Sequence, residues 1–211
     1  MTGLRDYEQW HRRYDDPDSD LSWRLRTVQE HLAAALDRYP GPVRVVSSCS
    51  GDGRDLLEVL GRRADAGRVS AVLLEVHPAI AERARRSAAA VAARVEVRTA
   101  DAGVTDAYLS AVPAEVVLLV GIFGNISDPD LARTVATAPA LCRPGATLLW
   151  TRARRDGDRN DVVRARFAAA GFTELAYATL DTGGRPAVGV VRYDGPPVPL
   201  PAGERLFTFL R

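Results

Sequence analysis

The sequence predicts an α/β fold with a doubly wound, mostly parallel seven-stranded sheet, and three observations support this class. Short apolar segments alternate with helical patterns along most of the chain. The last two apolar segments, residues 172–180 and 187–193, are separated only by a turn, so they must pair as an antiparallel hairpin. An amphipathic segment at residues 19–38 precedes the first strand and predicts an N-terminal helical extension.

Each element follows from periodicity and from its end signals. Ser19 is a suitable N-cap for the first helix, which stops at the Pro-Gly-Pro sequence of residues 40–42, and Pro78 is suited to the first turn of another helix. The predicted strands cover residues 43–46, 69–76, 95–98, 115–120, 146–152, 172–180 and 187–193. The predicted helices cover residues 19–38, 54–65, 78–92, 104–111, 130–142 and 159–170. We divide the chain into an extension or lid at residues 1–40 and one domain at residues 41–211, whose apolar tail LFTFL is an edge strand or a packing arm.

Composition bounds the function. The 211 residues suit one domain, the hydrophobic fraction of 46% allows a real core, and the net charge of +1 gives no global reason to expect nucleic acid or a membrane as partner. Every basic residue is arginine. Cys49 and Cys142 suggest neither a disulfide framework nor a metal site. The charged first residues and the lack of a long apolar run predict a cytoplasmic protein that does not enter a membrane.

A glycine-containing turn follows the first strand. In the sequence SSCSGDG of residues 47–53, Gly51 and Gly53 allow sharp turns and close approach of a ligand, although a plain strand-to-helix turn explains them equally well. A dinucleotide fingerprint would require a third glycine where Leu56 stands. Without lysine there is also no P-loop, so the turn favours a ligand that lacks a pyrophosphate.

Two acidic residues follow the next two strands. Glu75 ends the second strand, where a carboxylate can accept hydrogen bonds from both hydroxyls of a ribose, or can simply face solvent. Asp101 follows the third strand and could accept from an adenine amino group while the Ala102 amide donates to a ring nitrogen; the alternative is a helix N-cap.

Together these loops resemble the class I S-adenosylmethionine-dependent methyltransferase family, over roughly residues 43–193. The segment VVLLVGIFGNIS is similar to that family's fourth strand and the loop that lines the cofactor. The resemblance implies S-adenosylmethionine as the cofactor, Glu75 as its ribose ligand and Val76 beside its adenine. The cofactor-binding residues that it implies are Ser48, Cys49, Ser50, Gly51, Gly53, Asp55, Glu75, Val76, Asp101, Ala102 and Gly121.

The sequence departs from the family in the first loop. Ser47 stands where the family usually has an acidic residue that helps bind the methionine amino group, and Cys49 stands in place of the first glycine. Asp52, Asp55 or an N-terminal residue could supply the missing contact. The departure also leaves open a cofactor-binding protein that does not methylate.

Methyl transfer is an in-line displacement in which the protein mainly aligns the reactants, so no obligatory catalytic motif is expected. His11 is the one histidine that we consider as a weak candidate base; His77 would flank the adenosine, and His31 lies within a helix. We expect no metal, because the sequence has no metal-ligand spacing.

Aromatic residues give candidates for the acceptor side. Tyr7, Trp10 and Tyr14 recur at helical spacing, which predicts a packing face or a lid. Phe123 and Asn125 after the fourth strand are pocket candidates. Trp150 and Arg152, at the end of the fifth strand, are two further pocket candidates. For Trp150 a role in the core is at least as expected.

The first functional hypothesis is methylation of a small molecule at oxygen or nitrogen. The alternatives are methylation of a nucleic acid or a protein, a non-catalytic binder of the same fold, and, fourth, a dehydrogenase. The near-neutral charge and the sequence GIFGN after the fourth strand count against nucleic acid as substrate. The tail LFTFL could contact a second copy in a homodimer.

Overall fold

The computed structural model describes residue 14, residues 16–154 and residues 158–210. The strands are β1 (Val43–Ser48), β2 (Val69–Glu75), β3 (Arg94–Thr99), β4 (Ala114–Leu119), β5 (Cys142–Ala153), β6 (Phe172–Thr179) and β7 (Pro186–Tyr193). The helices are α1 (Asp20–Asp37), α2 (Arg54–Gly61), α3 (Pro78–Ala88), α4 (Asp128–Leu141) and α5 (Asn160–Ala169), with short 3-10 turns at Ala66–Arg68 and Thr105–Tyr108.

The seven strands form one sheet in the order β3-β2-β1-β4-β5-β7-β6. The first five are parallel, whereas β7 runs antiparallel to both β5 and β6. This confirms the doubly wound sheet and its C-terminal hairpin. The strand order reverses between β1 and β4, so the carboxyl ends of these strands border the crevice where ligands of such sheets bind.

Both faces of the sheet are buried. Alternate residues of the central strands enter two separate clusters, so that Val46 and Val117 belong to one and Val45 and Val116 to the other. Helices α4 and α5 cover the first face, and α1 and α2 cover the second. Such two-sided burial is the reason why the strands read as continuous apolar runs. The predicted extension helix, α1, is therefore part of the core.

Four predicted elements differ from the structure in type or by more than two residues at one end. The predicted helix at residues 104–111 is a single 3-10 turn, and the predicted helices at 54–65 and 78–92 end earlier, at Gly61 and Ala88. Strand β5 begins at Cys142 rather than at residue 146, because pairing with β4 extends to Ala114 across an irregularity in register. The tail makes two isolated bridges, to Val104 and Ile126, and is thus a packing arm.

Candidate functional site

The turn after β1 has three left-handed residues. Cys49, Gly51 and Gly53 have φ values of 51°, 58° and 80°. A Cβ atom added at Gly53 would lie 2.7 Å from a methyl carbon of Leu57, whereas one at Gly51 would have no neighbour within 4 Å. Gly53 is therefore required by packing at the start of α2, and Gly51 borders open space that a ligand can approach. Cys49 adopts the left-handed conformation that glycine favours.

Glu75 is anchored at the end of β2. Its side chain is 5% exposed, and its two oxygens accept the backbone N–H groups of Gly51 at 2.9 Å and His77 at 2.8 Å. Each oxygen keeps a further lone pair for another donor. The next residue, Val76, is 63% exposed. A fixed carboxylate beside an exposed apolar side chain suits a ligand with hydroxyl groups next to a flat apolar ring.

A buried tyrosine joins the first and third loops. The hydroxyl of Tyr108 lies 2.8 Å from Ser48 Oγ and donates to the Ala102 carbonyl oxygen at 2.9 Å, so Ser48 is the donor in the first bond. Burial raises the pKa of Tyr108, and the phenol stays protonated. The sequence carried no signal for this role, because Tyr108 stands in the segment predicted as a short helix.

Asp101 adjoins the edge that bears Glu75, since Thr99 pairs with Glu75 in register. Its side chain is half exposed, and it accepts the Gly103 N–H at 2.8 Å through one oxygen. Arg205, from the tail, pairs with the other oxygen at 2.8 Å. In this arrangement both oxygens already have partners, and the predicted adenine contact would use a remaining lone pair.

The tail holds the loops after β3 and β4. Leu206 donates its backbone N–H to the Gly103 carbonyl at 2.8 Å, and Leu210 donates to the Asn125 carbonyl at 2.9 Å. A Cβ atom at Gly103 would lie 2.4 Å from the Phe207 carbonyl oxygen, so only glycine permits this approach. Residues 205–210 thus close one side of the candidate site.

The two aspartates proposed for the methionine amino group differ. The guanidinium of Arg54 forms a two-pronged ion pair with Asp52. Asp55 is half-buried, and no donor among the described residues bonds to its carboxylate. Burial raises the pKa of Asp55, although Arg24 opposes this shift. Of the two, Asp55 is better suited to a cationic group of a ligand.

Tyr14 lies against the same loop. The guanidinium carbon of Arg54 lies 4.5 Å from the centre of its ring, and Arg24 donates a hydrogen bond to its hydroxyl. Burial raises the pKa of Tyr14 to about 12. The other proposed residues of the extension lie outside the described residues: Tyr7, Trp10 and His11.

The loop after β4 begins at Gly121, which has a φ of 77° and no atom within 4 Å of an added Cβ. Its N–H donates to Thr151 Oγ1 at 2.8 Å, and its carbonyl accepts from the Asn125 amide at 2.8 Å. Phe123 and Trp150 are 1% and 0% exposed and lie 6.1 Å apart between ring centres. Their packing in the core explains both aromatic rings without a ligand.

The remaining polar candidates offer little chemistry. Burial, and then the charges of Glu75 and Asp101, raise the pKa of the Cys49 thiol, which does not act as a nucleophile in that form.

In the part of the chain that the structure describes, no group of three side chains is placed to hold a metal ion. None of the helices in that part has the length and apolar character needed to span a bilayer.

Comparison with known proteins was made by sequence and by structure. No protein-family model matches the sequence, and no curated protein matches it. Among solved structures, magnesium protoporphyrin IX methyltransferase from Synechocystis PCC 6803, with bound SAM, has a TM-score of 0.68 at 13% identity, covering 90% of this chain and 91% of its own. An O-methyltransferase family protein from Burkholderia thailandensis has a TM-score of 0.62 at 18% identity, covering 82% of this chain and 55% of its own.

This chain has the methyltransferase fold. The [4+2]-cyclase SpnF shares that fold, with a TM-score of 0.59 at 16% identity over 82% of this chain and 81% of its own. The methyltransferase fold therefore does not by itself determine the reaction, which must be argued from the site.

Proposed function

We propose that this chain binds S-adenosylmethionine at the carboxyl ends of β1, β2 and β3 and transfers its methyl group to oxygen or nitrogen of a small molecule. The observation that carries the proposal is the Glu75 carboxylate, fixed by the N–H groups of Gly51 and His77 beside the exposed Val76. The bound SAM in the Synechocystis neighbour supports the same choice of ligand.

The residues of the candidate site fit this cofactor. Glu75 accepts the two ribose hydroxyls, and Val76 packs on the adenine. The open space at Gly51 and Gly121 allows the ligand to approach both turns closely. Asp55 receives the methionine ammonium, in the role that Ser47 cannot fill because it lacks a charge.

When bound, the cofactor supplies an electrophilic methyl group attached to a sulfonium. The chain has to hold the acceptor in line with that group and keep water away. The hydrogen bonds from Gly121 to Thr151 and from Asn125 to Gly121 fix the β4 turn at 2.8 Å each, so this side of the site is rigid. His77 binds Glu75 through its backbone at the ribose end, and we assign it no proton transfer.

Calorimetric titration of S-adenosylmethionine, S-adenosylhomocysteine and NADH tests the cofactor. We expect the two sulfur compounds to bind and NADH not to bind, because the turn lacks the third glycine of the dinucleotide fingerprint. Binding of NADH alone would contradict the proposal.

Methyl transfer needs a separate test, because a cyclase shares the fold. Incubation with methyl-labelled S-adenosylmethionine and a panel of small phenols, amines and carboxylic acids should label a compound in the panel. Cofactor binding without transfer to small molecules, nucleic acid or protein would favour the non-methylating alternative.

A further inference from the structure

A second cleft lies on the other side of the sheet's crevice, between α4 and α5. Its cavity volume is about 30 Å³, and it is separated from Glu75 by strands β1 and β4. Its apolar lining is formed by Leu131, Val162 and Val163. Its charged lining consists of Arg152, Arg159, Arg166 and Asp128. Three arginines against one aspartate leave a formal excess of two positive charges.

Arg152 is the least exposed of the three arginines in this cleft. Its Nε donates to the Phe123 carbonyl oxygen and its Nη1 to the Asn160 side-chain oxygen, both at 3.3 Å. Asn160 is fully buried and is itself held by a bond from its amide nitrogen to the Tyr177 hydroxyl at 3.1 Å. These contacts fix the guanidinium before any ligand arrives.

The charge of Arg152 is not neutralised within the described chain. Its two acceptors are neutral, and none of the described carboxylates forms an ion pair with it. A half-buried cation without a counter-ion is costly, and a guanidinium presents parallel donors that match an oxyanion. Most other arginines that the structure describes in ordered contacts have a carboxylate partner, as Arg164 has in Glu174.

Arg159 and Asp128 form an exposed ion pair at the same cleft. Their ion pair is 2.5 Å long, and both side chains are more than half exposed. An exposed pair contributes little stability, so Arg159 can exchange its carboxylate for another anion at small cost. Arg159 also stands at the N-terminal end of α5, where the helix dipole favours negative charge.

We propose that this cleft binds an anionic oxygen group, a carboxylate or a phosphate, carried by the methyl acceptor. The inference rests on the proposed function, since it assigns the second substrate of the same site. Arg152 donates to the Phe123 carbonyl in the loop after β4, so the cleft adjoins the β4 side of the crevice. Its size suits one functional group rather than a whole substrate, and its apolar lining suits the adjoining carbon atoms.

The test is a titration of the full chain with sodium phosphate and, separately, sodium acetate at constant ionic strength. The Nε–Hε resonances of ¹⁵N-labelled arginines report the site, with the Arg152 signal identified by its loss in Arg152→Gln. We expect saturable shifts of Arg152 and Arg159, and a response to one anion rather than the other would identify the group. Arg159→Gln should weaken binding of that anion at least threefold. Arg86→Gln, at an exposed position of α3, should leave the affinity for the anion unchanged.

Titration of S-adenosylhomocysteine separates this inference from the proposed function. Arg152→Gln and Arg159→Gln should bind that compound within twofold of the unchanged protein. If neither anion shifts Arg152, or if Arg159→Gln binds as the Arg86→Gln control does, the anion site is refuted whatever the cofactor result. If anions bind but S-adenosylhomocysteine does not, the site stands and the proposed function fails.

Discussion

Replacing Glu75 by glutamine tests the residue on which the cofactor proposal depends. The change keeps the size of the side chain and removes its charge. In the structure both oxygens of Glu75 accept a backbone N–H, from Gly51 and from His77. Glutamine has one acceptor oxygen, so its NH₂ group must face one of these two donors. Leaving a buried donor unpaired costs about 1–3 kcal/mol, and we expect the free energy of unfolding to fall by this amount.

The effect on cofactor binding has a different source. A hydrogen bond to a charged acceptor contributes about 1.5–3 kcal/mol, against about 1 kcal/mol for a neutral one. With two ribose hydroxyls bound to Glu75, the neutral amide should lose about 1.5–3 kcal/mol. This corresponds to a dissociation constant for S-adenosylhomocysteine that is roughly 10- to 100-fold higher.

Isothermal titration calorimetry gives the binding effect, and urea unfolding followed by circular dichroism gives the stability. The control is Glu96→Gln, because Glu96 is an exposed acid on the neighbouring strand β3 that pairs with Arg98. We expect the control to change both quantities little. A Glu75→Gln protein that binds S-adenosylhomocysteine within threefold of the unchanged chain would refute the reasoning.

Three further perturbations probe the turn, the candidate ammonium ligand and the tail. Both Gly51→Ala and Gly53→Ala put a side chain at a positive φ, which costs about 1–2 kcal/mol. Only the Cβ at position 53 also meets packed methyl groups, so Gly53→Ala should be about 1–3 kcal/mol less stable than Gly51→Ala, which should lose cofactor affinity; equal unfolding curves would contradict this. Burial raises the pKa of Asp55, so a bound ammonium must displace its proton at low pH, and affinity for S-adenosylhomocysteine should rise with pH until the raised pKa is passed. Asp55→Asn should bind weakly with no such rise, and a retained pH dependence would exclude this role. Arg205→Gln should lower the free energy of unfolding by less than about 1 kcal/mol, because its pair with Asp101 is half exposed, and a larger loss in urea unfolding would contradict this.

The fold could be predicted because its signals are local. Strands buried on both faces, such as residues 115–120, read as apolar runs, and the short turn before β7 allows only an antiparallel pair. The predicted helix at residues 104–111 was wrong in type, because the tail supplies the partners of that segment: Thr105 donates its N–H to the Glu204 carbonyl. A contact between residues so distant in sequence leaves no periodicity to read.

Some residues of the candidate site could likewise be predicted from local signals, and others could not. Glu75 and the Gly51 turn could be chosen from their positions after strands, because the topology brings the ends of β1 and β2 together. The contacts of Tyr108 with Ser48 and of Arg205 with Asp101 depend on tertiary packing and had no local signal. Phe123 stood where a pocket residue was expected, but its ring packs against Trp150 in the core.

The attachment of the tail has a consequence for how this edge of the molecule is made during synthesis. The loops after β3 and β4 take hydrogen bonds from Leu206 and Leu210, so a nascent chain that has produced all seven strands still lacks the partners of those loops. That edge is therefore completed only after residues 206–210 have been synthesised and have folded back onto it.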